Sequence, residues 1–403
     1  MLRFRKKINK AVNNLLDFIS KKININVRHL IAYLISKLYS SEIDNKLLVF
    51  GSTNGNAFSG NSKYLFLYLT QHSKYHCIWV TSSQKVSQYL QNNNYNVVLN
   101  RNLFKTIKLL KAARYIFITH GFSDILMVDL SPQTQLIRLD HGIVLKRLRS
   151  FTRGSNLNFI KKKMRQQLVR STSYLVVASE IDKKMKMQSF PLNPNQYMTV
   201  GYPRNDILAN FTREKYLGIR QSLDIKENSK ILLYAPTSRK YQQKNQLNKE
   251  FLENLDQLLI KDQRILLYKP HPASKKIDLS VYNNIKSVDP NVDIMDLLIV
   301  SDVLITDYSG VFYDFLITLR PIIFFAYDRK KYFEKRGIYF DYETFVPGPI
   351  VKTGEQLLLK LKEIDQWAKE YEKKRKNIRE LTNKYSDGNS TRKLIEFLNL
   401  EAN

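Results

Sequence analysis

The chain has 403 residues, enough for two or three domains with sizeable cores. Its apolar fraction of 43% and charged fraction of 25% are ordinary for a globular protein and exclude disorder over most of the chain. The formal net charge of +29 is not ordinary, and it predicts a polyanionic partner: nucleic acid, an anionic membrane or a phosphate-rich substrate.

A single cysteine, Cys77, excludes an intrachain disulfide and a zinc site built from thiolates. No run of about 18 apolar residues is present. The basic start MLRFRKKINK is not followed by the apolar segment of a secretory signal. We therefore expect a protein that acts in the cytoplasm.

Residues 1–45 form a basic segment with nine Lys or Arg residues and three acids. Apolar residues recur there at helical spacing, which predicts amphipathic helices. Their apolar positions are Val12, Leu15, Leu16, Phe18 and Ile19, followed by Leu30, Ile31, Leu34, Ile35 and Leu38. Basic helices with an apolar face bind membrane interfaces. Packing of the same faces on the first domain is the alternative.

After residue 45, short apolar runs alternate with helical stretches, a pattern typical of crossover units and parallel sheets. Several runs are continuously apolar, as expected of strands covered on both faces. The predicted strands are 46–52, 76–81, 96–99, 115–119, 135–139, 174–178 and 198–200, then 231–235, 265–268, 303–306 and 322–325. Residues 250–260 and 310–319 are predicted helices.

The restart of the pattern near residue 230 predicts two α/β domains. We place them at 46–210 and 211–370, between the basic segment 1–45 and a helical tail at 371–403. Two doubly wound sheets that face each other leave a cleft at the carboxyl ends of their strands, where such sheets bind ligands.

His141 directly follows a predicted strand and precedes Gly142, in the segment QLIRLDHGIVLK. An imidazole at the end of a strand is able to take a proton from a hydroxyl. The glycine allows the backbone to approach a ligand closely. The alternative is an ordinary loop histidine beside the solvated basic stretch 146–170.

His271 follows another buried strand, in the segment RILLYKPHPAS. Pro270 and Pro272 stiffen this loop. A rigid loop that holds Lys269 and His271 suits phosphate binding, whereas the alternative is a proline-stiffened turn without a ligand.

The segment SDVLITDYSGVFYDFL predicts a strand, a tight turn and a helix that begins near Gly310 with Ser309 as its N-cap. The free N–H groups of such a helix start bind anions. Beside the Lys-Pro-His-Pro loop, this turn is interpreted as part of a diphosphate pocket. The scatter of Asp302, Asp307 and Asp314 matches no metal-ligand spacing, so no metal site is predicted.

His120-Gly121 repeats the strand-His-Gly pattern. We interpret it first as the structural end of a strand and second as a further part of the cleft lining. The motifs of dinucleotide-binding dehydrogenases, P-loop NTPases, serine hydrolases and zinc enzymes are absent.

The ordered segments LDHGIVLK, VGYPRND, YAPTSR, YKPHP, LITDYSGVFYDF, PIIFFAYDRKKY and RGIYFDYETFVPGPIV resemble those of the CDP-glycerol glycerophosphotransferases. This family includes teichoic-acid primases and polymerases and related capsule enzymes. The resemblance covers about residues 46–355. It implies the GT-B fold, with two Rossmann-like domains around the active site, and a basic membrane-associating N-terminus.

The resemblance also implies roles for particular residues. His141 matches the proposed general base, and His271 matches the histidine taken to contact the donor phosphates. Further matches in the donor-binding segments are Gly142, Arg239, Lys269, Pro270, Thr306, Asp307, Tyr308, Ser309 and Gly310, and Arg204 matches the arginine of the Tyr-Pro-Arg motif.

Three departures from the family pattern concern the acceptor and the alcohol of the donor. Leu139-Asp140 stand where Trp commonly precedes His-Gly, and Gly310 stands where a second serine is usual. Residues 144–146 read Val-Leu-Lys in place of Pro-Leu-Lys. Since neighbouring residues on a strand face opposite sides, Asp140 is not expected to point the same way as His141.

The implied reaction moves glycerol phosphate or ribitol phosphate from CDP-glycerol or CDP-ribitol to a hydroxyl of a lipid-linked saccharide or growing polymer, at the cytoplasmic face of the plasma membrane. No tightly bound cofactor is expected, and divalent ions are expected at most to stimulate the reaction. The motifs leave the number of subunits open.

The first alternative is a sugar transferase of the same fold that uses a nucleotide sugar. A nucleic-acid-binding protein is disfavoured because no recognition signature accompanies the charge. A non-catalytic scaffold is disfavoured because both histidines are present.

Overall fold

The computed structural model describes residues 24–147, 159–237, 239, 247–270 and 277–401. The predicted apolar stripe of residues 12–19 lies outside these ranges, and so does His271.

The first half of the chain forms a seven-stranded sheet in the order β3-β2-β1-β4-β5-β6-β7. All of its neighbouring strands are parallel. The strands are β1 (Asp44–Phe50), β2 (His76–Thr81), β3 (Val97–Leu99), β4 (Ala113–Ile118), β5 (Gln135–Arg138), β6 (Thr172–Val177) and β7 (Tyr197–Thr199).

The second half forms a six-stranded parallel sheet in the order β10-β9-β8-β11-β12-β13. Its strands are β8 (Lys230–Tyr234), β9 (Arg264–Tyr268), β10 (Ile285–Ser287), β11 (Val303–Thr306), β12 (Ile322–Phe325) and β13 (Ile350–Val351). The two parallel sheets confirm the predicted α/β class. The short strands β10 and β13 were not predicted.

Helices cover both faces of each sheet. They are α1 (Ile25–Lys37), α2 (Gly60–His72), α3 (Gln84–Asn92), α4 (Leu103–Ala112), α5 (Phe159–Ser171), α6 (Glu180–Met187), α7 (Asp206–Asn210), α8 (Arg213–Ser222), α9 (Lys249–Lys261), α10 (Ile294–Val300), α11 (Val311–Phe315), α12 (Arg329–Arg336), α13 (Tyr342–Phe345), α14 (Gly354–Lys362), α15 (Ile364–Glu370), α16 (Glu372–Thr382) and α17 (Ser390–Phe397).

The buried part of strand β1, residues 47–50, shows why the central strands contain continuous apolar runs. Leu48 and Phe50 face one hydrophobic cluster, in which Phe50 packs against Phe66 of α2 at 5.3 Å between ring centroids. Val49 faces the opposite cluster, which contains Ile107 of α4. Side chains alternate across a strand, so a strand with helices on both faces buries both sets.

The helix predicted at 310–319 is shorter than expected. It is α11 followed by a 3₁₀ turn at Leu316–Thr318, and its N-cap is Gly310 rather than Ser309. The prediction of Ser309 as the N-cap was wrong because Gly310 itself is the residue at which the chain turns into the helix. The Ser309 hydroxyl still accepts a hydrogen bond from Val311 N, at 3.4 Å.

The two halves meet at the carboxyl ends of their central strands. Lys63 of α2 pairs with Asp293 at 2.6 Å, and Arg204 pairs with Asp314 of α11 at 2.7 Å. The C-terminal helices return to the first half, where Asp206 accepts hydrogen bonds from the backbone N–H groups of Ser390 and Thr391.

Helix α1 docks on the first half through polar contacts. The His29 ring accepts a hydrogen bond from Met127 N at 3.1 Å, and the Ser36 hydroxyl accepts one from Asp129 N at 2.8 Å. The outer face of α1 exposes apolar side chains at Ile25, Val27, Leu34 and Leu38. Within the described ranges no helix is both long and apolar enough to cross a bilayer.

Buried His29 predicts an acid-sensitive attachment of α1. Burial, with the neighbouring Arg28 charge, lowers the pKa of His29 to about 4. In the unfolded chain the same imidazole binds a proton below about pH 6.5. The unfolded state therefore binds more protons between these values, and stability falls as the pH falls. We expect the free energy of unfolding to drop by about 2 kcal/mol from about pH 7 to about pH 5 on account of this residue.

Urea unfolding at the two pH values measures this effect. The variant His29→Gln keeps a hydrogen-bond acceptor without the titration and should lose most of the pH dependence. The exposed His72→Gln is the matched control and should retain it. Equal pH dependence in wild type and His29→Gln would contradict the assignment.

Candidate active site

His141 lies in a sharp turn after β5, at the edge of the first sheet that faces the second half. Asp140 and Gly142 on either side of it both have positive φ, of 51° and 110°. Asn61 of α2 fixes the turn because its side-chain amide donates to the carbonyls of Leu139 and Asp140, at 3.0 and 2.9 Å. The His141 side chain is 52% exposed, so its ring reaches solvent while Asn61 holds its backbone in place.

Asp140 is the hydrogen-bond partner of His141. Its Oδ1 lies 2.7 Å from His141 Nδ1 and also accepts from the His141 backbone N–H at 2.7 Å. The expectation that the two side chains point apart was wrong, since β5 ends at Arg138 and the left-handed backbone of Asp140 interrupts the alternation. With Nδ1 engaged, Nε2 is the nitrogen left to take a proton.

A buried ion pair keeps Asp140 charged. Its Oδ2 lies 3.1 Å from the fully buried Lys186 Nζ, which also contacts Asp182 Oδ2 at 3.4 Å and the Tyr202 hydroxyl. Burial alone would raise the pKa of Asp140, but Lys186, His141 and Arg138 together hold that pKa well below its usual value. Burial raises the pKa of Asp182.

His120 lies against His141. The two rings stack at 4.9 Å between centroids with 15° between their planes. Strands β4 and β5 are neighbours, so the loops that follow them meet. The structure therefore supports the second interpretation of His120, as part of the cleft lining.

Gly142 and Arg204 are in close contact. A Cβ at residue 142 would overlap the Arg204 guanidinium, and the φ of 110° is one that residues with a side chain rarely adopt. Arg204 is held by Asp314 and by its backbone N–H, which donates to Asn61 Oδ1 at 3.2 Å. In this arrangement Arg204 links the two halves beside the His141 turn.

Most polar donor-site residues of the second half form hydrogen bonds within that half. Asp307 accepts from Thr237 N at 2.9 Å and pairs with Arg239 at 2.7 Å. Arg239 also pairs with Asp328 at 2.7 Å, and its side chain is buried. The Thr306 hydroxyl donates to Ala235 O at 2.8 Å. Contact of these residues with a donor remains a prediction.

Lys269 likewise stabilises a loop. Its Nζ donates to the carbonyls of Asp289, Pro290 and Val292, at 2.8 to 2.9 Å. Burial lowers the pKa of Lys269. Pro270 follows at the end of the described segment, and the roles predicted for Lys269, Pro270 and His271 remain predictions.

Gly310 of the second half lies close to the His141 turn. A Cβ at this position would lie 2.6 Å from the carbonyl oxygen of Ile143. Downstream, Tyr339 N donates to Leu145 O at 3.2 Å. The structure therefore brings His141, Gly142, Ser309 and Gly310 to one interdomain surface.

Several residues that shape this site were not identified from the sequence. They are Asn61, Asp124 and Lys186, together with Asp140 as the partner of His141. Of these residues, only Asp140 was identifiable from the sequence, because it is the direct neighbour of His141. In the described part of the chain, no cluster of three or more His, Cys, Asp or Glu residues is arranged to hold a metal ion.

A family model described as CDP-glycerol:poly(glycerophosphate) glycerophosphotransferase matches residues 32–400. The chain belongs to this family. The resemblance seen in the motifs is confirmed, and the chain is an enzyme of the polyol-phosphate transferase type.

Curated relatives agree with the family model. A teichoic acid glycerol-phosphate transferase from Staphylococcus aureus is 31% identical over 352 residues, which are 84% of this chain and 89% of the relative. A teichoic acid glycerol-phosphate primase from Bacillus subtilis is 31% identical over 303 residues, or 74% of this chain and 76% of the relative. A teichoic acid poly(glycerol phosphate) polymerase from Bacillus subtilis is 30% identical over 357 residues, covering 82% of this chain but 46% of the polymerase.

Solved structures confirm the GT-B-like fold. The wall teichoic acid polymerase TagF superposes with a TM-score of 0.80 and 24% identity, covering 98% of this chain and 97% of that one. A His-to-Asn variant of TagF soaked with CDPG superposes with a TM-score of 0.78 and 25% identity over 98% of this chain and 97% of the variant.

The buried lysine generates a stability prediction. The variant Lys186→Met leaves the Asp140 and Asp182 carboxylates together in the core without the lysine that contacts both of them. Removing one partner of a buried pair costs about 3–5 kcal/mol, and we expect that loss in urea unfolding followed by circular dichroism.

Adding Asp182→Asn should recover part of the loss because only one carboxylate then remains unpaired. The exposed Lys249→Met is the matched control and should change stability by less than about 0.5 kcal/mol. A Lys186→Met protein as stable as wild type would show that the pair contributes nothing.

Proposed function

We propose that the chain transfers glycerol phosphate or ribitol phosphate from the matching CDP-alcohol to an acceptor hydroxyl, with His141 as general base. The observation that carries this proposal is the His141–Asp140 pair on the interdomain surface of a chain from this family. The acceptor is a lipid-linked saccharide or a growing teichoic-acid or capsule polymer.

The chemistry needs one proton transfer and one displacement at phosphorus. His141 Nε2 takes the proton of the acceptor hydroxyl as its oxygen attacks the β-phosphorus of the CDP-alcohol. The bond from that phosphorus to the bridging oxygen breaks, and CMP leaves with the electron pair. Positioning and electrostatic stabilisation supply most of the catalysis in such transfers.

The charge of Asp140 supports the role of His141 as base. The carboxylate orients the imidazole through Nδ1 and stabilises the imidazolium that forms when Nε2 gains a proton. The predicted donor-phosphate contacts are His271, Lys269 and the backbone at Ser309 and Gly310. No step requires a metal, and a stimulatory effect of divalent ions remains a prediction.

We also propose that the acceptor is reached at an anionic membrane surface, the cytoplasmic face of the plasma membrane. One face of the first half combines exposed apolar side chains with lysines, and we name it the α1 face. Its members are Ile25, Val27, Leu34, Lys37 and Leu38 on or beside α1, Phe104, Lys105 and Lys108 on α4, and Phe159, Lys161 and Lys162 on α5.

Contacts between the helices hold the α1 face together. Phe104 packs edge-on against Tyr39 at 5.7 Å, and Lys163 lies over the Tyr33 and Phe159 rings. Apolar side chains ringed by lysines match the headgroup region of an anionic bilayer.

The first test of function is CMP release by purified protein from CDP-glycerol, with CDP-ribitol and a UDP-sugar in parallel. Membranes or a lipid-linked disaccharide serve as acceptor. We expect release from one CDP-alcohol, and a decrease of about 10²–10⁴-fold in His141→Ala because a positioned base contributes on that order.

The exposed His72→Ala is the control and should behave as wild type. Turnover of the UDP-sugar without turnover of any CDP-alcohol would instead favour the sugar transferase. Near-normal CMP release by His141→Ala would remove the base assignment.

A second test addresses the membrane. We expect the full chain to sediment with vesicles that contain phosphatidylglycerol and to bind phosphatidylcholine vesicles much more weakly. The double variant Leu38→Ser and Phe159→Ser should weaken binding about 10-fold or more, since each buried side chain contributes about 1.5–3 kcal/mol.

The control for this test is Val281→Ser, an equally exposed apolar residue of the second half. If it weakens vesicle binding as much as the double variant does, the α1 face is not the contact surface.

A further inference from the structure

The stacked ring of His120 has no part in the proton transfer proposed above. Its side chain is 31% exposed, and its Nδ1 lies 2.8 Å from the Thr119 hydroxyl and 3.8 Å from Asp124 Oδ1. In His141, Nδ1 faces Asp140 in the same way. Neither Nε2 has a hydrogen-bond partner among the described residues, so the pair presents two adjacent, unused ring nitrogens.

Asp124 holds His120 rigidly. This fully buried carboxylate accepts from the backbone N–H groups of Thr119 and His120, each at 2.7 Å, through Oδ2. Its Oδ1 accepts from Asn54 N at 2.7 Å. One carboxylate therefore fixes both the His120 loop and the loop that follows β1.

The loop after β1 is strained. Thr53, Asn54 and Gly55 all have positive φ, between 51° and 75°. A β-branched residue in this region is unusual, and strain of this kind persists where the surroundings enforce it, often at ligand sites. The loop lies between β1 and β4, where the chain order of the first sheet reverses and a crevice opens.

We propose that His120 Nε2 accepts a hydrogen bond from a second hydroxyl of the acceptor, on the carbon next to the one whose hydroxyl His141 deprotonates. His120 would thus select acceptors that end in two adjacent hydroxyls. This inference rests on the function proposed above and names the acceptor group that the same site takes.

The hydrogen-bond polarity favours a hydroxyl over a phosphate. With Nδ1 donating to Thr119 Oγ1 or toward Asp124, the neutral ring has only an acceptor at Nε2. Burial is the main effect that lowers the pKa of His120, and the His141 ring adds to it against the opposing effect of Asp124. A neutral acceptor nitrogen binds an O–H donor, whereas a phosphate oxygen would need a donor.

The ring geometry favours a diol. The two rings are nearly parallel, and their centroids are 4.9 Å apart. Oxygens on neighbouring carbons are close enough for one to reach each ring. A single hydroxyl would satisfy His141 and leave the other ring nitrogen unused.

The test compares two acceptors for the protein, with the CDP-alcohol that supports CMP release as donor. One is an alkyl ester of glycerol phosphate, which ends in a vicinal diol. The other is the matching ester of 3-hydroxypropyl phosphate, which keeps the primary hydroxyl and lacks the secondary one. We expect wild type to favour the diol by about 3- to 10-fold in kcat/KM, mainly through KM, because one neutral hydrogen bond contributes about 0.5–1.5 kcal/mol.

The variant His120→Ala should reduce the ratio between the two acceptors to about 1. His120→Gln, which presents an amide oxygen as acceptor, should retain part of the preference. If His120 has only a structural role, its replacement lowers kcat/KM for both acceptors equally and leaves the ratio between them unchanged. An unchanged ratio in both His120→Ala and His120→Gln would overturn the proposal. Wild-type protein that releases CMP from no CDP-alcohol, whether with these esters or with the lipid-linked disaccharide or membranes, would instead show that the proposed function fails.

Discussion

The ionised carboxylate of Asp140 is the constraint on which the site depends. It lies in the core, where charge is costly, and the buried Lys186 beside it, with His141 and Arg138, stabilises the ionised form. The fixed charge orients His141, and the backbone of the same residue is tied by Asn61 to the loop of Arg204. Arg204 then reaches Asp314 in the second half. One continuous polar network thus runs from the core of the first half to the interdomain surface.

Buried carboxylates shape the loops at the cleft in both halves. Asp124 gathers three backbone N–H groups in the first half, and Asp307 accepts from Thr237 N and Tyr308 N in the second. Backbone N–H groups at the ends of parallel strands lack a strand partner, so a carboxylate both satisfies them and fixes the loop. In the part of the chain that the structure describes, these carboxylates therefore fix the loops after β1, β4, β8 and β11, and the cost of ordering them is met in folding.

The sequence patterns predict the sheets well because the buried parts of parallel strands are apolar runs, as in residues 47–50 of β1 and residues 303–305 of β11. The strands β10 and β13 have three and two residues, too few for a pattern.

In the candidate site, the His-Gly turn was also predictable. The Asp140–His141 pair was not predicted. The prediction assumed that side chains continue to alternate between the two faces of the strand after Arg138, but Asp140 has a left-handed backbone. Lys186 pairs with Asp140, and Asp328 pairs with Arg239. Both pairs join residues that are far apart in the chain, so only the folded structure shows them.

Gly310 connects the departure from the family pattern to the geometry of the cleft. The family commonly has a serine there, whose hydroxyl would be a further contact for phosphate. In this chain a Cβ at residue 310 would lie 2.6 Å from Ile143 O, closer than real Cβ atoms approach. A serine would push the His141 turn away from the second half. Gly310 therefore both removes a hydroxyl and permits the close approach of the His141 turn to the second half.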